Sequence, residues 1–174
     1  MNLDWLAGFF DGEGGIFVGD HPRALPIFVS LTNRDQSSIL LVLREFPLGT
    51  LITTESKGNS STTYQIRWQG RKASPFLEAI KDKVVIKKSQ VELALRFISL
   101  ISDWGKGGGF YEGLDERLRI AEEIDRLNNY DRPPKISFTR RSDRIFTRAL
   151  DNLGVTKEQL SEALSKIENA KPKS

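Results

Sequence analysis

Cysteine is absent from the 174 residues, and histidine occurs once, at His21. The lack of cysteine excludes a disulfide framework, a thiolate zinc site and a cysteine nucleophile, and one histidine cannot supply a multi-histidine metal site. No stretch approaches the roughly 20 apolar residues that a membrane-spanning helix needs. The N-terminal residues also lack the basic and then apolar order of a secretion signal. We therefore expect an intracellular protein, cytoplasmic or organellar, with no membrane partner.

Charge of one sign is only in small excess, since 26 Lys and Arg against 23 Asp and Glu give a net charge of +3. The distribution along the chain is more informative than the total. Residues 57–72 carry four basic side chains and no acidic one, and residues 132–148 carry six basic side chains and one acid. Residues 112–125 carry six acids and two arginines. Such segregation predicts a polarised surface, which is compatible with nucleic-acid binding.

Hydrophobic periodicity predicts the order α-β-β-α-β-β-α-α, with further helices after it. The predicted helices cover residues 3–12, 36–46, 74–83, 87–104 and 111–128, with two short ones near 143–153 and 157–167, and the predicted strands cover residues 16–19, 25–33, 49–55 and 62–69. This order is typical of an α+β fold, in which helices cover one face of an antiparallel sheet and leave the other face for a partner. We expect one domain over residues 1–153, and a C-terminal helix with a disordered tail over residues 154–174.

The most informative segment runs from Leu6 to Gly15 and reads LAGFFDGEGG. Gly8 and Gly12 lie four residues apart, so they share one face of a helix and let a second helix backbone approach closely. Asp11 and Glu13 then stand near the end of that helix, where a carboxylate beside helix-terminal carbonyls suits a hard cation. The alternative is an amphipathic core helix that ends in a polar, glycine-rich turn, and composition alone favours this alternative.

Residues Leu6 to Gly14 resemble the LAGLIDADG motif, residue for residue in type. The predicted αββαββα order and the Ile-Lys-Lys-Ser-Gln run at 86–90 are also similar to the homodimeric members of that homing endonuclease family. The resemblance extends to about Asn128, and more loosely to Leu153. It implies the αββαββα homing-endonuclease fold, whose antiparallel sheet forms a DNA-binding saddle, with extra C-terminal helices. One copy of the motif implies a homodimer, with the interface at Leu6, Ala7, Gly8, Phe9, Asp11 and Gly12.

The resemblance further implies metal-dependent hydrolysis of phosphodiester bonds in both strands of a long, roughly palindromic DNA site, which promotes intron mobility. Glu13 and the carbonyl of Gly12 correspond to the metal ligands, with Glu replacing the commoner Asp. Mg²⁺ is the expected ion, and Mn²⁺ and Ca²⁺ are other ions able to bind. Asn33 corresponds to a residue that orients water, and Lys87 to one that stabilises phosphate charge. Without the resemblance, the favoured interpretations are a helix cap for Asn33 and an exposed lysine at a helix start for Lys87.

Strand alternation places Gln65 and Arg67 on the sheet face opposite to Trp68, and Ser30 and Thr32 on the face opposite to Leu31. Arg and Gln side chains can pair with guanine and adenine edges in the major groove. The predicted DNA-binding residues, including those expected to hold phosphates, are His21, Arg23, Ser30, Thr32, Arg34, Lys57, Gln65, Arg67, Arg71, Lys72, Arg140 and Arg141. Strand alternation also places Phe17 and Phe28 on this outer face. Two phenylalanines are unusual on a DNA-facing surface, unless a local bulge turns them to the other face.

Three other functions compete with DNA cleavage. Some proteins of the same family act as maturases, which bind intron RNA. A DNA-binding protein of the same fold that does not cleave is a second alternative. A small α+β domain with no nucleic-acid partner is a third, and a steep fall of DNA affinity with salt would argue against it.

Overall fold

The computed structural model describes residues 1–19, 25–55, 62–101 and 113–129, together with Thr156. Its helices are α1 (Leu3–Glu13), α2 (Gln36–Glu45), α3 (Ser74–Ile80), α4 (Lys88–Ser99) and α5 (Leu114–Asn128). Its strands are β1 (Gly14–Val18), β2 (Ile27–Asn33), β3 (Thr50–Thr54) and β4 (Thr63–Gln69), and a 3₁₀ helix covers Gly70–Ala73. The predicted αββαββα order is confirmed over these residues. The helices predicted near 143–153 and 157–167, the C-terminal tail and the proposed domain boundary lie outside the described residues.

The four strands form one antiparallel sheet in the order β1-β2-β4-β3. Residues directly opposite each other in an antiparallel pair point to the same face. The inner face carries Ile16, Val29 and Trp68, which are buried beneath the helices. The outer face carries the pairs Phe17–Phe28, Ser30–Arg67 and Thr32–Gln65. The predicted alternation is therefore confirmed, and the β1–β2 register runs without a bulge past Phe17 and Phe28.

The core between sheet and helices is centred on Phe76 of α3. Its ring stacks on Trp68 of β4 with the ring centroids 4.5 Å apart, and it meets Phe10 and Phe46 edge-on at 5.3 Å. These contacts join α1, α3 and the end of α2 to the sheet through aromatic area that is fully buried at Phe10, Trp68 and Phe76 and partly buried at Phe46. At the β1 edge of the sheet, the Nδ2 of Asn128 donates to the Ile16 carbonyl at 2.8 Å. This hydrogen bond attaches the end of α5 to edge strand β1.

The junction between α1 and β1 differs from the prediction in detail. The helix was expected to end near residue 12, with Gly14 and Gly15 in a turn. Instead α1 continues to Glu13, and Gly14 is already the first residue of β1. A side chain at Gly14 would overlap the ring of Phe10, so only glycine permits this direct passage from helix to strand. Glu13 therefore stands at the point where the two elements meet.

None of the described helices combines the length and the apolar character needed to cross a membrane.

Candidate functional site

Glu13, Asn33 and Lys87 lie at the same end of the sheet. Glu13 ends α1, and the next residue, Gly14, pairs with Leu31, which is close to the end of β2 at Asn33. Lys87 is brought to this end by hydrogen bonds to Asp11 of α1. The structure thus gathers the three residues predicted to be catalytic from three separate segments of the chain. Glu13 is exposed, whereas Asn33 and Lys87 are half-buried.

Asp11 fixes the turn that carries Lys87. One carboxylate oxygen accepts hydrogen bonds from the backbone N–H groups of Val85 at 2.8 Å and Ile86 at 3.2 Å, and the other accepts from that of Lys87 at 2.9 Å. The ammonium group of Lys87 donates in turn to the Asp11 carbonyl. A cation at this position also faces the negative end of the α1 dipole. Sequence reasoning missed this role of Asp11, because no local signal joins it to a turn 74 residues away.

The pKa of Asp11 is held below its ordinary value of 3.8. Burial of the carboxyl raises the pKa, but the hydrogen bonds from Val85, Lys87 and Ile86 and the charge of Lys87 together lower it by more. Asp11 is therefore an anion over the physiological pH range, and it is already satisfied within its own chain.

Asn33 makes a local contact at the end of β2. Its side-chain oxygen accepts from the backbone N–H of Asp35 at 2.8 Å, and Asp35 in turn caps α2 by accepting from Ser37 and Ser38. The hydroxyl of Ser38, followed by the backbone N–H groups, lowers the pKa of Asp35 below 3.8. The Nδ2 group of Asn33 makes no hydrogen bond within the described part of the chain, so it remains available to a ligand.

A metal site within one chain would have few ligands. The described residues contain no group of three or more His, Asp or Glu side chains that could surround an ion. At the end of α1, however, the Glu13 carboxylate and the Gly12 carbonyl are two hard oxygen donors on exposed residues. Mg²⁺ prefers such donors and retains several waters or substrate oxygens. The donor set fits this ion if water, phosphate or a second copy of the chain completes the coordination.

One face of α1 is not covered by the described part of the chain. Gly8 and Gly12 are exposed, and no described atom beyond the helix's own backbone lies within 4 Å of a Cβ atom placed at either. Beside them Trp5, which is 41% exposed, stacks on Phe9 with the ring centroids 5.0 Å apart. Leu6 and Ala7, which were expected at the dimer interface, point instead into the chain's own core at 0% and 1% exposure. Of the other expected interface residues, Gly8, Phe9 and Gly12 lie on or beside the open face, whereas Asp11 binds the 85–87 turn.

Arg67, Gln65 and Thr32 form a hydrogen-bonded chain on the outer face of the sheet. The Nη2 of Arg67 donates to the Oε1 of Gln65 at 2.8 Å, and the Nε2 of Gln65 donates to the hydroxyl of Thr32 at 2.9 Å. Phe17 and Phe28 stack on each other beside them, with ring centroids 5.0 Å apart, and the Arg67 guanidinium lies over both rings. Strand alternation predicted that the two phenylalanines lie on the outer face. Their contact with Arg67 could not be predicted in the same way, because it depends on how the strands pair.

The remaining predicted DNA-binding residues are spread more widely. Ser30 lies on the outer face but is only 8% exposed, opposite Arg67. Arg34 is exposed between β2 and α2. Arg71 and Lys72 are exposed after β4, at the opposite end of the sheet from Glu13, and Arg71 also donates to the Ile101 carbonyl. The others lie outside the described residues, namely His21, Arg23, Lys57, Arg140 and Arg141.

Comparison with known proteins gives a match in structure but not in sequence. No protein-family model and no curated protein matches the chain. The archaeal intron-encoded homing endonuclease I-Vdi141I, solved in complex with DNA, matches 85% of this chain and 96% of its own length, with a TM-score of 0.68 and 15% identity. The homing endonuclease I-CvuI, solved in complex with the I-CreI target in the presence of Mg with the DNA not cleaved, matches 88% of this chain and 95% of its own, with a TM-score of 0.56 and 17% identity.

A third match is to a longer protein. The LAGLIDADG meganuclease I-AabMI, solved bound to uncleaved DNA, matches 76% of this chain but 50% of its own length, with a TM-score of 0.57 and 17% identity. At these identities the similarity establishes the fold, and this chain has the fold of the LAGLIDADG homing endonucleases. The fold class predicted from the sequence is confirmed.

Proposed function

We propose that this chain, which has the fold of the LAGLIDADG homing endonucleases, is a homodimeric, metal-dependent enzyme that cuts both strands of a long, roughly palindromic DNA site and so promotes intron mobility. The observation that carries the proposal is the end of α1. There an exposed carboxylate, Glu13, follows directly on a helix face that Gly8 and Gly12 leave open. A second copy docked on this face would bring two such carboxylates close to one axis.

The proposed dimer uses the open face of α1 in both copies. A two-fold interface places the same patch of each copy against the other. Gly8 and Gly12 allow the two helix backbones to approach closely, and Trp5 and Phe9 supply apolar area at their side. A symmetric enzyme of this kind matches a roughly palindromic DNA site, and each copy would cut one strand.

The proposed reaction is hydrolysis of a phosphodiester, in which a water oxygen bonds to phosphorus as the bond to the leaving oxygen breaks. Glu13 and the Gly12 carbonyl would hold Mg²⁺, which when bound supplies an activated water and charge stabilisation at the phosphate. The free Nδ2 of Asn33 would donate to a water or phosphate oxygen at the same end of the sheet. The ammonium group of Lys87, held by the Asp11 carbonyl, would offset negative charge that develops on the phosphate.

The outer face of the sheet is the proposed DNA-binding surface. It carries polar side chains that can pair with base edges, Thr32, Gln65 and Arg67, and it lies away from the helices. A two-stranded ribbon fits the major groove of B-form DNA. Arg34, Arg71 and Lys72 are exposed beyond the strands and would contact phosphates on either side.

The test is a plasmid cleavage assay with a matched carboxylate control. The purified chain is incubated with a plasmid that carries the intronless allele of its host gene, in Mg²⁺ and in EDTA. We expect linear product only in Mg²⁺, and we expect Glu13→Gln to bind the plasmid but to cut it more slowly by roughly 100-fold, because the ligand charge is gone. Glu92→Gln removes the same charge from an exposed position on α4 and should cut like the native chain.

The outcomes separate the competing functions. Equal cutting by the native chain and Glu13→Gln would show that Glu13 does not hold the metal. Binding without cutting by the native chain would favour a maturase or a DNA-binding protein, and intron RNA would then be the next ligand to test.

A further inference from the structure

We infer that Arg67 is the residue on the outer face that recognises a guanine, and that Gln65 and the Phe17–Phe28 pair are positioning residues that hold its guanidinium in place; this assignment rests on the proposed function. On the sequence alone, Gln65 and Arg67 are equivalent candidates for reading bases. The contacts of the two side chains make them different.

The aromatic pair gives Arg67 a support. Phe17 of β1 and Phe28 of β2 are directly opposite each other and stack with ring planes 24° apart. The guanidinium carbon of Arg67 lies 5.8 Å from the centroid of Phe17 and 5.7 Å from that of Phe28. These distances are within the range of a cation–π interaction. Two rings on two different strands therefore restrict where the guanidinium can move.

Gln65 fixes the guanidinium from a second direction. Its Oε1 accepts from the Nη2 of Arg67, and its Nε2 donates to the hydroxyl of Thr32. Recognition of adenine by glutamine uses that same oxygen and that same nitrogen. Gln65 would have to break both contacts to read an adenine, whereas in place it orients Arg67.

The remaining edge of Arg67 matches guanine. Its Nε is buried and makes no hydrogen bond within the described part of the chain, so this atom cannot take part in a bidentate contact with a base. The Nη1 group makes no hydrogen bond within the described part of the chain, so the available edge is the one formed by the terminal Nη1 and Nη2 groups. Two parallel N–H donors of this kind fit the O6 and N7 acceptors of guanine in the major groove.

The place of Arg67 in the sheet favours a base over a phosphate. Arg67 lies on β4, an inner strand, between Ser30 of β2 and Thr50 of β3. The middle of a sheet that enters a groove faces its floor, where the base edges are. Arg71 and Lys72 instead lie beyond the end of β4, where the phosphate backbone would pass.

The test is selection from a library of duplex DNA with a randomised central block, followed by sequencing of the bound DNA. The native chain should enrich a guanine at one position in each half of the selected site. Arg67→Lys keeps the charge but loses the paired donors, so it should reduce that preference about 5- to 150-fold and leave the other positions unchanged. Gln65→Leu should weaken the same guanine preference, and Gln65→Glu should restore much of it, because a carboxylate still accepts from Arg67.

The alternatives give different results, and thermal unfolding of every variant checks that it is folded. If Arg67→Lys keeps all base preferences, Arg67 only covers the aromatic pair and the inference is wrong. If Gln65→Leu loses an adenine at a separate position while the guanine remains, Gln65 reads a base itself and its positioning role is wrong. A native chain that enriches no sequence would overturn the proposed function together with the inference.

Discussion

Replacing Asp11 with asparagine tests whether this residue fixes the turn that carries Lys87. Asparagine keeps the shape of the side chain but has one acceptor oxygen in place of two. That oxygen can keep the bond from Lys87 N–H, while the amide NH₂ would face the N–H groups of Val85 and Ile86, which now bond to the second oxygen. The amide hydrogens would then face two backbone N–H groups that have no acceptor. The negative charge beside the Lys87 ammonium would also be lost.

The expected loss of stability follows from the two hydrogen bonds removed. A hydrogen bond to a charged group contributes roughly 1.5–3 kcal/mol, but water partly replaces it at a half-buried site, so we expect a loss of about 2 kcal/mol in total. For a chain of this size, that corresponds to a decrease of about 4–8 °C in Tm. Asp82→Asn, at an exposed turn position, is the matched control and should change Tm little.

The effect should depend on pH in a defined direction. Because the pKa of Asp11 in the folded chain is below 3.8, its stabilisation is fully present above pH 3.8 and is lost as the pH falls through the folded-state pKa. Thermal unfolding followed by circular dichroism should therefore show a difference between the native chain and Asp11→Asn at pH 7 that narrows below pH 3.8.

The same variant should also lose activity, because Lys87 is no longer held at the end of the sheet. We expect slower DNA cleavage with nearly unchanged non-specific DNA binding. Unchanged Tm at pH 7 would refute the structural role of Asp11. A normal cleavage rate in a destabilised variant would show that Lys87 needs no such support.

Two further predictions concern the open face of α1 and the core. Gly8→Leu should leave the folded chain intact, because no described atom beyond the helix's own backbone lies within 4 Å of a Cβ placed there and glycine costs about 1 kcal/mol in a helix, but it should prevent dimerisation and cleavage. Sedimentation velocity measures this, with Glu92→Leu on α4 as the control, and a native-like dimer of Gly8→Leu would place the interface elsewhere. Phe76→Ala should lower the free energy of unfolding by about 3–5 kcal/mol, because it leaves a cavity among Trp68, Phe10 and Phe46. Urea denaturation followed by tryptophan fluorescence checks this value, and a loss below about 1 kcal/mol would contradict the central place of Phe76 in the core.

Properties that depend on neighbouring residues could be predicted from the sequence. Helical and strand periodicity are local, so the order of elements and the alternation that separates Arg67 from Trp68 followed from the pattern alone. The motif around Gly8, Gly12 and Glu13 likewise indicated a helix with a small-residue face and a carboxylate at its end. Where the pattern was ambiguous, as at Gly14 and Gly15, the predicted boundary moved by one or two residues, because steric fit to Phe10 decided it.

Contacts between distant segments needed the tertiary structure. Periodicity shows that a helix has two faces but not which neighbour covers each, so Leu6 and Ala7 were expected at an interface and are buried in the core. Nothing near Asp11 in the sequence indicates that its carboxylate binds the backbone of residues 85–87. The contact of the Arg67 guanidinium with the rings of Phe17 and Phe28 likewise arises only when β1, β2 and β4 pair in this register. Local patterns determine whether each segment forms a helix or a strand, whereas the packing of these elements decides which side chains are in contact. The candidate site depends on such contacts, because its residues come from distant segments.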